Sequence, residues 1–376
     1  MKWEKVKLGN VTDSCLGKML DQNKNKGDYQ PYLANVNVRW GEFDLEDLPL
    51  MKFEESEQER YELKYGDLVI CEGGEPGRCA IWKEQIPNMK IQKALHRVRV
   101  HDCLDYRYLF YWFLLAGKTG ELDQYFTGAT IKHMPGQKLK EVVIDKPPLE
   151  IQHRIADILS AYDDLIENNQ KQIKLLEEAA QRLYKEWFVD LRFPGHENTK
   201  IVDGVPEGWS RGLLQELISV NYGKDHKKAP DDGNIPVYGS GGLMRKCNKS
   251  LFSGEAVLIP RKGSLNNIMY VDETFWTVDT MFYATMKQPH TAVFVYFFVK
   301  AFDMYSMNIG AAVPSMTTKI LDAMDVVIPD KETLEKFDKR AKVYFNKIKT
   351  LQGQNEQLRI SRDLLLPKLM SGEVEV

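Results

Sequence analysis

The sequence predicts an α/β protein: two similar mixed α/β domains separated by two long antiparallel coiled-coil helices, arranged as a pseudo-twofold internal repeat. Three observations predict this fold. The 376-residue chain repeats its own motifs in a constant order, each copy opens with short strand-like runs between turns, and each copy closes with a long run of helical periodicity. At about 150 residues per domain, such a chain accommodates two to three domains.

The repeat consists of matched residues whose offset shrinks along the chain, as expected if the second copy lost loop residues. We therefore predict two copies of one unit, at about 1–190 and 203–376. The matches pair Trp3, Gly27 and Tyr32 with Trp209, Gly233 and Tyr238, Gly66–Ile70 with Gly254–Leu258, Gly128–Ile131 with Gly310–Val313, and Tyr162, Ile166, Gln170, Leu176 and Leu183 with Tyr344, Ile348, Gln352, Leu358 and Leu365.

Each copy begins with a mixed α/β part. Asp67–Cys71 and Ala256–Pro260 are short, largely apolar runs between turns, which is typical of strands. Tyr106–Leu115 and Thr291–Phe302 are apolar runs of helical length at matching places in the two copies. The predicted division is two globular domains at 1–149 and 205–330, long helices at 150–190 and 331–370, and a linker at 191–204.

The last part of each copy has coiled-coil character. Glu150–Phe188 contains neither Gly nor Pro, and its apolar residues recur at the spacing of a helix seam. Asn169 places in that seam a polar side chain of the kind that can fix register. Pro367 is expected to end or kink the second helix near Leu366. The predicted seam, which would also serve partner docking, comprises Ile155, Tyr162, Asn169, Leu176 and Leu183 with Phe337, Tyr344, Leu351, Leu358 and Leu365.

Two helices with such stripes cover them most simply by packing antiparallel against each other. The alternative is that each helix folds back on its own domain.

The composition excludes several classes of protein. With 51 Lys and Arg against 54 Asp and Glu, the net charge is −3, and no apolar run approaches the ~18 residues of a membrane span. Met1–Lys5 enters charged sequence at once, so no secretory signal is expected. The five cysteines form no C-x-x-C pair, which indicates a reducing compartment and argues against structural zinc. We expect a cytoplasmic protein without a membrane segment.

Basic residues concentrate in two segments at matching places of the repeat. Gly77–Val100 carries six Lys and Arg against Glu84 alone, and Ser219–Lys262 carries eight against four acids. Paired basic patches indicate a protein that binds a nucleic-acid duplex. The alternative is that both segments are ordinary solvated loops.

The same segments carry side chains that suit base edges, since Asn and Gln pair with adenine and Arg and Lys with guanine. Gln92–Arg97 offers four such groups, and we expect Tyr238–Gly242 and Arg261–Asn267 to fill comparable positions in the second copy. The candidate DNA-contacting residues are Arg39, Arg78, Gln92, Lys93, His96, Arg97, Lys132, His133, Lys227, Lys228, Tyr238, Ser240, Arg245, Arg261, Lys262, Asn266, Asn267 and Ser315, the last matching His133 in the repeat.

Catalytic motifs are missing from the sequence. Gly73–Gly77 lacks the Lys and Ser/Thr of a phosphate-binding loop, and the Asp145–Pro148 segment lacks the aromatic residue of an amino-methyltransferase loop. The seven histidines form no H-x-x-x-H pair, and there is no Gly-x-Ser-x-Gly. We expect neither a catalytic site nor a metal site.

Several motifs of the sequence are typical of one protein family. They are Pro147–Ile155 leading into the long helix, Leu364–Gly372 at the C-terminus, and Gly66–Ile70, Gly128–Thr130 and Val205–Trp209 in the globular parts. Through these motifs the sequence resembles the specificity subunit of type I restriction–modification systems, over nearly the whole chain. A departure is Thr333–Lys336, where the family has a Pro-Leu-Glu-Gln type of helix entry.

The resemblance implies a non-catalytic reader of double-stranded DNA. Its two globular parts would be target-recognition domains that recognise a split, asymmetric sequence, with the helix pair setting the spacer. It implies two modification subunits, which are adenine-N6 methyltransferases carrying S-adenosylmethionine, and restriction subunits using ATP and Mg²⁺, with no cofactor on this chain. Two alternatives stay open: a methyltransferase with an unrecognised active site, and a coiled-coil scaffold that binds only protein.

Overall fold

The computed structural model describes residues 3–21, 25–307 and 315–376, which divide into two compact units. Unit 1 comprises Met1–Asn168 and Gln354–Val376, and unit 2 comprises Asn169–Gly353. Each long helix therefore contributes one part to each unit. None of the helices in the described ranges is long and apolar enough to cross a bilayer.

The helices of the described chain include two that are much longer than the rest. They are α1 (Gln58–Tyr61), α2 (Tyr106–Thr119), α3 (Gly136–Glu141), α4 (Leu149–Tyr184, continued by a π-helical turn Lys185–Val189), α5 (Ala292–Lys300), α6 (Thr318–Asp322) and α7 (Lys331–Ser371).

Unit 1 is built on a four-stranded antiparallel sheet of order β2-β8-β5-β6, a smaller sheet of order β4-β3-β7, and the pair β1-β9. β5 lies between two neighbours, and all four of its side chains are buried, as its apolar run predicts. The strands are β1 (Glu4–Lys7), β2 (Thr12–Leu16), β3 (Asp28–Leu33), β4 (Leu50–Phe53), β5 (Leu68–Cys71), β6 (Cys79–Ile81), β7 (Lys90–Ile91), β8 (Leu95–Val100) and β9 (Val143–Lys146).

Unit 2 repeats this topology, in a sheet of order β13-β18-β16-β17-β14-β15 and the pair β12-β19. A small hairpin, β10-β11, precedes it. The strands are β10 (Ile201–Val202), β11 (Val205–Pro206), β12 (Ser210–Leu213), β13 (Ile218–Tyr222), β14 (Ile235–Gly239), β15 (Gly242–Cys247), β16 (Phe252–Pro260), β17 (Met269–Thr277), β18 (Met281–Met286) and β19 (Asp325–Ile328).

The strand neighbours confirm the predicted repeat. β2-β8-β5-β6 of unit 1 corresponds to β13-β18-β16-β17 of unit 2, β1-β9 corresponds to β12-β19, and α2 and α5 follow the equivalent strands β8 and β18. The predicted strands at 67–71 and 256–260 and the two predicted apolar helices are present. The predicted match at 310–313 lies outside the described residues.

Two of the predicted matches are wrong by one residue. Gly73 bridges His133 in unit 1 where Lys262 bridges Ser315, the match of His133, in unit 2, so this stretch has an offset of 189 rather than 188. In the parallel strand pairs, Leu33 pairs with Ile91 in unit 1 and Tyr238 pairs with Thr277 in unit 2. The repeat equivalent of Tyr238 is therefore Leu33, not Tyr32. Runs of similar apolar residues align equally well at neighbouring offsets in the sequence, whereas the hydrogen-bond register of the strands selects one offset.

The two aromatic helices α2 and α5 supply much of each core. Asp105 caps α2, because its carboxylate accepts bonds from the backbone N–H groups of Arg107 and Tyr108. The helix ends at Gly120, whose φ of 75° is left-handed. Tyr108 and Phe113 are among the largest fully buried side chains of unit 1, and Phe294 of α5 is among those of unit 2.

The long helices pair in both units. In unit 1, Asp163 of α4 forms an ion pair with Arg362 of α7, and in unit 2 the rings of Trp187 and Phe337 are 5.8 Å apart. The contacting residues have decreasing residue numbers in α7 as the residue numbers in α4 increase. The two helices are therefore antiparallel, as predicted. The long helices pack against each other, as predicted, and also against their own domains, which was the alternative. Ile155 of α4 packs in the core of the globular part of unit 1.

Of the two outcomes predicted at Pro367, an end of α7 near Leu366 is wrong, because the helix continues through Pro367 to Ser371, whereas a kink stays a prediction. Proline removes one backbone hydrogen bond. Leu366, Leu369 and Met370 are all buried in the core of unit 1, so packing holds the last turn in place.

Candidate nucleic-acid interface

The turn that follows the central strand of unit 1 brings together two distant segments. The backbone N–H of Met134 donates to the carbonyl of Glu72 at 2.7 Å, and Gly73 forms an isolated β-bridge with His133. The loop that carries Lys132 and His133 is thereby attached to the turn between β5 and β6. Both of these basic side chains are exposed.

Unit 2 builds the same junction from different residues. The N–H of Met316 donates to the carbonyl of Arg261 at 2.9 Å, and Lys262 forms an isolated bridge with Ser315. Ser315 therefore occupies the position of His133, as the repeat predicts. The backbone is repeated here while the side chains differ.

A second tie fixes this turn to the loop after β3 or β14. In unit 1, Arg78 donates to the carbonyl of Asn35 at 3.2 Å, and in unit 2 Asn267 donates to the carbonyl of Ser240 at 2.8 Å. Arg78 and Asn267 are equivalent in the corrected repeat, and so are Asn35 and Ser240. Both candidates thus hold two loops together in their own units.

The equivalent glycines of the two turns make the tie possible. Gly74 and Gly263 both have left-handed backbones, with φ of 74° and 85°. A Cβ atom at Gly263 would lie 2.8 Å from Oγ of Ser240, and one at Gly74 would lie 3.3 Å from Nδ2 of Asn35. Glycine therefore allows each pair of loops to approach closely.

His96 and Arg97 are buried in β8 rather than presented to a ligand. The His96 imidazole lies 3.0 Å from the carbonyl of Met134, and burial lowers its pKa. The Arg97 guanidinium is 9% exposed and donates to the carbonyls of Glu59, Arg60 and Glu62 at 2.9–3.4 Å. Arg97 therefore has a structural role, because its guanidinium binds the backbone at the end of α1.

The other candidates of unit 1 lie at its surface. Gln92 is half-buried, and its carbonyl accepts a bond from the N–H of Leu95, while Lys93 is exposed at the tip of that turn. Arg39 is exposed, and its guanidinium donates to the carbonyl of Val38 at 3.2 Å. Lys132 lies 5.6 Å from the ring centroid of Phe126.

Loops 92–97 and 261–267 do not occupy comparable positions, contrary to the expectation from sequence. The turn at 92–94 joins β7 to β8, and its counterpart is the turn 278–280 between β17 and β18. Residues 261–267 correspond instead to 72–78. The shared content of basic and amide side chains misled the comparison, because these residues carry no information on strand order.

A short turn displays two lysines of unit 2. Lys227 and Lys228 are exposed in the 3₁₀ turn His226–Lys228, and Asp225 caps it by accepting from the N–H of Lys227 at 3.0 Å. Arg245 donates to the carbonyls of His226 and Ala229 and so closes the turn. Arg245 therefore positions the two lysines.

The remaining candidates of unit 2 surround the turn 261–267. Arg261 lies 5.5 Å from the ring centroid of Tyr222 and donates to the carbonyl of Asp279 at 3.3 Å. Asn266 donates to Asp303 at 3.1 Å. Tyr238 donates its hydroxyl to Glu273 at 2.5 Å, and burial together with that carboxylate raises its pKa.

The predicted seam residues of the long helices are all buried or half-buried. Asn169 is 8% exposed, and Phe337 and Leu351 are buried in unit 2. These residues are therefore placed for helix packing. Not every apolar side chain at the spacing of the seam is covered, because Leu165 of α4 is 52% exposed. Leu364 of α7, which lies outside the predicted seam, is also exposed.

Among the described residues, no group of three or more His, Cys, Asp or Glu side chains is arranged to hold a metal ion. A cleft of about 600 Å³ in unit 1 lies between Trp40, Phe126 and Lys132, beside the turn 73–77. Its lining includes two acidic residues, Glu75 and Asp123.

Sequence reasoning missed a pair of equivalent lysines, Lys18 and Lys224. Each follows the first strand of its sheet, and each donates its backbone N–H to the strand that leads into the hairpin, to Ile91 at 3.0 Å and to Thr277 at 2.9 Å. The offset of 206 between Trp3 and Trp209 already relates Lys18 to Lys224, so the repeat contained the signal.

A repeated α/β unit with basic, variable loops and long paired helices defines a class of DNA specificity proteins. The family model described as "Type I restriction modification DNA specificity domain" matches residues 1–178 and again residues 206–359. The chain belongs to this family, and its role is DNA target recognition rather than catalysis. The double match also confirms the internal repeat.

Relatives of known name agree with this assignment. The chain is 27% identical to the type I restriction enzyme MjaIX specificity subunit of Methanocaldococcus jannaschii, over 83% of this chain and 78% of that protein. It is 24% identical to the MjaVIII specificity subunit of the same organism, over 100% of this chain and 93% of that protein.

A solved structure shares the fold. The S subunit of a type I restriction–modification system from M. genitalium superposes with a TM-score of 0.59 at 18% identity, covering 98% of this chain and 96% of that one. At this identity the likeness establishes the fold alone.

Proposed function

We propose that the chain recognises a bipartite, asymmetric DNA sequence and directs adenine-N6 methyltransferase and restriction subunits to it. The observation that carries the proposal is the loop junction that occurs in both units with exchanged side chains. Glu72, Gly73 and His133 in unit 1 correspond to Arg261, Lys262 and Ser315 in unit 2. A repeated backbone with different contact groups suits two different half-sites.

In this proposal the segments 1–149 and 205–330 are the two target-recognition domains. The exposed candidates of unit 1 are Arg39, Lys93, Lys132 and His133, and those of unit 2 are Lys227, Lys228, Lys262 and Asn266. Arg78, Arg97, Arg245 and Asn267 act on recognition by holding loops in place.

The long helices serve as the spacer element of the proposal. α4 and α7 each contribute residues to both units, so their length bears on the distance between the two DNA segments that are read. Removing seven residues from α4 and seven from the facing part of α7 should shorten the recognised spacer. An unchanged spacer would refute this role.

Partner subunits would dock on apolar side chains of the helices that neither core covers. Leu165 on α4 and Leu364 on α7 are 52% and 67% exposed in unit 1. Exposed leucines on paired helices suit a protein partner better than solvent. S-adenosylmethionine, ATP and Mg²⁺ would then reside on those partners, and the whole complex would act in the cytoplasm.

The direct test is to map methylated adenines in the genome of a host that expresses the modification subunit with or without this chain. The proposal predicts a two-part motif with an unread spacer only when the chain is present. Methylation of the same motif without the chain would contradict it, as would a continuous, symmetric motif.

A further inference from the structure

Lys18 and Lys224 occupy the same backbone position but have opposite surroundings. Lys18 is 3% exposed, and its ammonium group donates to the carbonyl of Lys52 at 2.9 Å and to the carboxylate of Glu57 at 2.5 Å. Lys224 is exposed, and within the described chain its ammonium group has no hydrogen-bond or ion-pair partner, although its backbone carbonyl accepts a bond from the indole of Trp276 at 3.0 Å. The same cation is therefore neutralised in unit 1 and open in unit 2.

An acidic insert explains the difference. In unit 1, residues 54–67 join β4 to β5 and contain α1, whereas in unit 2 residues 248–251 make the equivalent connection. In this insert, Glu57 forms an ion pair with Lys18, and Glu62 forms one with the buried Lys90. The distance from Lys90 Nζ to Glu62 Oε2 is 3.4 Å. Nearby cations hold the pKa of Glu57 below its ordinary value against the opposing effect of burial. Glu57 is thus a charged partner at neutral pH.

A second equivalent position inverts its charge. Glu72 of unit 1 donates its N–H to Ala94 at 2.8 Å, and Arg261 of unit 2 donates its N–H to Thr280 at 2.8 Å. Both residues are half-buried. Unit 1 presents a carboxylate where unit 2 presents a guanidinium.

Three basic residues of unit 2, Lys224, Arg261 and Lys262, are bonded to one turn of the sheet, and Lys227 and Lys228 follow Lys224 in the next turn of the chain. Lys224 is bonded to one end of the β17–β18 turn through Thr277, and Arg261 is bonded to Asp279 within it. We name the cationic face as the set Tyr222, Lys224, Lys227, Lys228, Arg261 and Lys262. The Asp225 carboxylate caps the lysine turn by accepting from the N–H of Lys227.

Building on the proposed function, we infer that the cationic face of unit 2 binds the phosphate backbone of the DNA duplex. At Lys18 of unit 1, the Glu57 carboxylate takes the place that a phosphate oxygen takes at Lys224. A carboxylate and a phosphate oxygen make equivalent charge-assisted bonds to an ammonium group. The two units therefore divide the work unequally, and unit 2 supplies the larger share of the electrostatic affinity.

The test uses the full chain and a 40-base-pair duplex of random sequence, with the dissociation constant measured at several salt concentrations. Each phosphate contact contributes about 0.9 to the slope of log K against log salt. The triple variant Lys224→Gln, Lys227→Gln, Lys228→Gln should reduce that slope by roughly 2–3 and weaken binding at least about tenfold at low salt. The matched control is Lys331→Gln, Lys339→Gln, Lys347→Gln, with three exposed lysines of α7 in the same unit.

Two unit 1 variants test the asymmetry. Lys18→Gln should leave the slope unchanged, because its ammonium group already has a carboxylate partner. Glu72→Arg, which copies Arg261, should steepen the slope by about 0.9 and tighten binding. Lys18→Gln also removes a buried contact, so its folding is checked by a circular dichroism melting curve. If Lys18→Gln does not fold, Glu72→Arg still tests the asymmetry.

The inference is overturned if the unit 2 triple variant and its α7 control lose the same affinity. It is also overturned if Lys18→Gln weakens binding as much as the single variant Lys224→Gln, measured in the same way. It is also overturned if Glu72→Arg leaves binding unchanged. Failure of the proposed function is a separate result, since it is seen in the methylation map and does not depend on where the phosphates bind.

Discussion

The two units share one backbone plan but treat their basic residues differently. In unit 1 much of the predicted basic surplus is paired with acidic side chains of the same unit: Lys83 pairs with Glu167 at 2.6 Å, and Arg99 with Asp67 at 2.7 Å. In unit 2 the described structure has no ion pair at Lys224, Lys227 or Lys228. A count of charges in sequence therefore overstates the cationic surface of unit 1.

The comparison teaches that a charge patch depends on neighbours distant in sequence. The Arg97 contacts are made by residues 35–38 positions away, in an insert that unit 2 lacks. Surface function in a repeat protein can thus be changed by one loop insertion without altering the sheet beneath it. The following predictions test that difference.

The largest effect is expected at Arg97. Arg97→Ala would leave three backbone carbonyls at the end of α1 without their donor, and should lower the free energy of unfolding of unit 1 by about 2–4 kcal/mol. Arg261→Ala, the control in unit 2, should change stability by no more than about 0.5 kcal/mol. Urea unfolding followed by tryptophan fluorescence measures both. An equal loss of unfolding free energy in Arg97→Ala and Arg261→Ala would contradict the proposed difference between the two units.

A smaller effect is expected at the equivalent lysines. Lys18→Met should cost about 1–3 kcal/mol, because it leaves the partly buried Glu57 without its partner. Lys224→Met should be close to neutral, since its side chain is exposed.

The Lys18 contribution should also depend on pH. The folded-state pKa of Glu57 is lowered, so the stability that the pair adds is present above the ordinary Glu pKa. It is lost as the pH falls through the lower, folded-state value. Unfolding curves recorded between pH 3 and pH 7 should therefore converge for wild type and Lys18→Met at the acidic end. Parallel curves would argue against the ion pair.

The smallest effect is expected at His96, whose equivalent in unit 2 is Phe282. Burial lowers the folded-state pKa of His96, so the unfolded chain takes up the proton first as the pH falls. Stability should therefore decrease below about pH 6.5 and recover above it. His96→Gln should flatten that part of the melting temperature profile. A profile that keeps its full slope would assign the effect to other groups.

Much of the fold could be predicted from the sequence. Ordered matches such as Trp3 with Trp209 established the repeat, and the run 150–188 without Gly or Pro established the long helix. Register was less accessible, because the apolar runs of β5 and β16 resemble each other at offsets of both 188 and 189. The continuation of α7 past Pro367 depends on core packing in unit 1, which no local propensity reveals.

The candidate interface was predicted in location more than in detail. Residue type alone marked Lys227 and Lys262, which are exposed, and also His96 and Arg97, which are buried. Alternation along Leu95–Val100 predicts one solvated face, but the insert 54–67 covers it. Lys18 and Lys224 were missed because a single lysine has no pattern, and only the repeat offset relates the two.

The central claim is that each unit reads its own half of a split DNA site through loops tied by equivalent residues. The most direct measurement is a methylated-adenine map for Arg78→Ala and for Asn267→Ala, each expressed with the modification subunit. The account predicts that each variant relaxes a different half of the motif and leaves the other half and the spacer unchanged. Relaxation of the same half by both variants, or of both halves by either one, would contradict it.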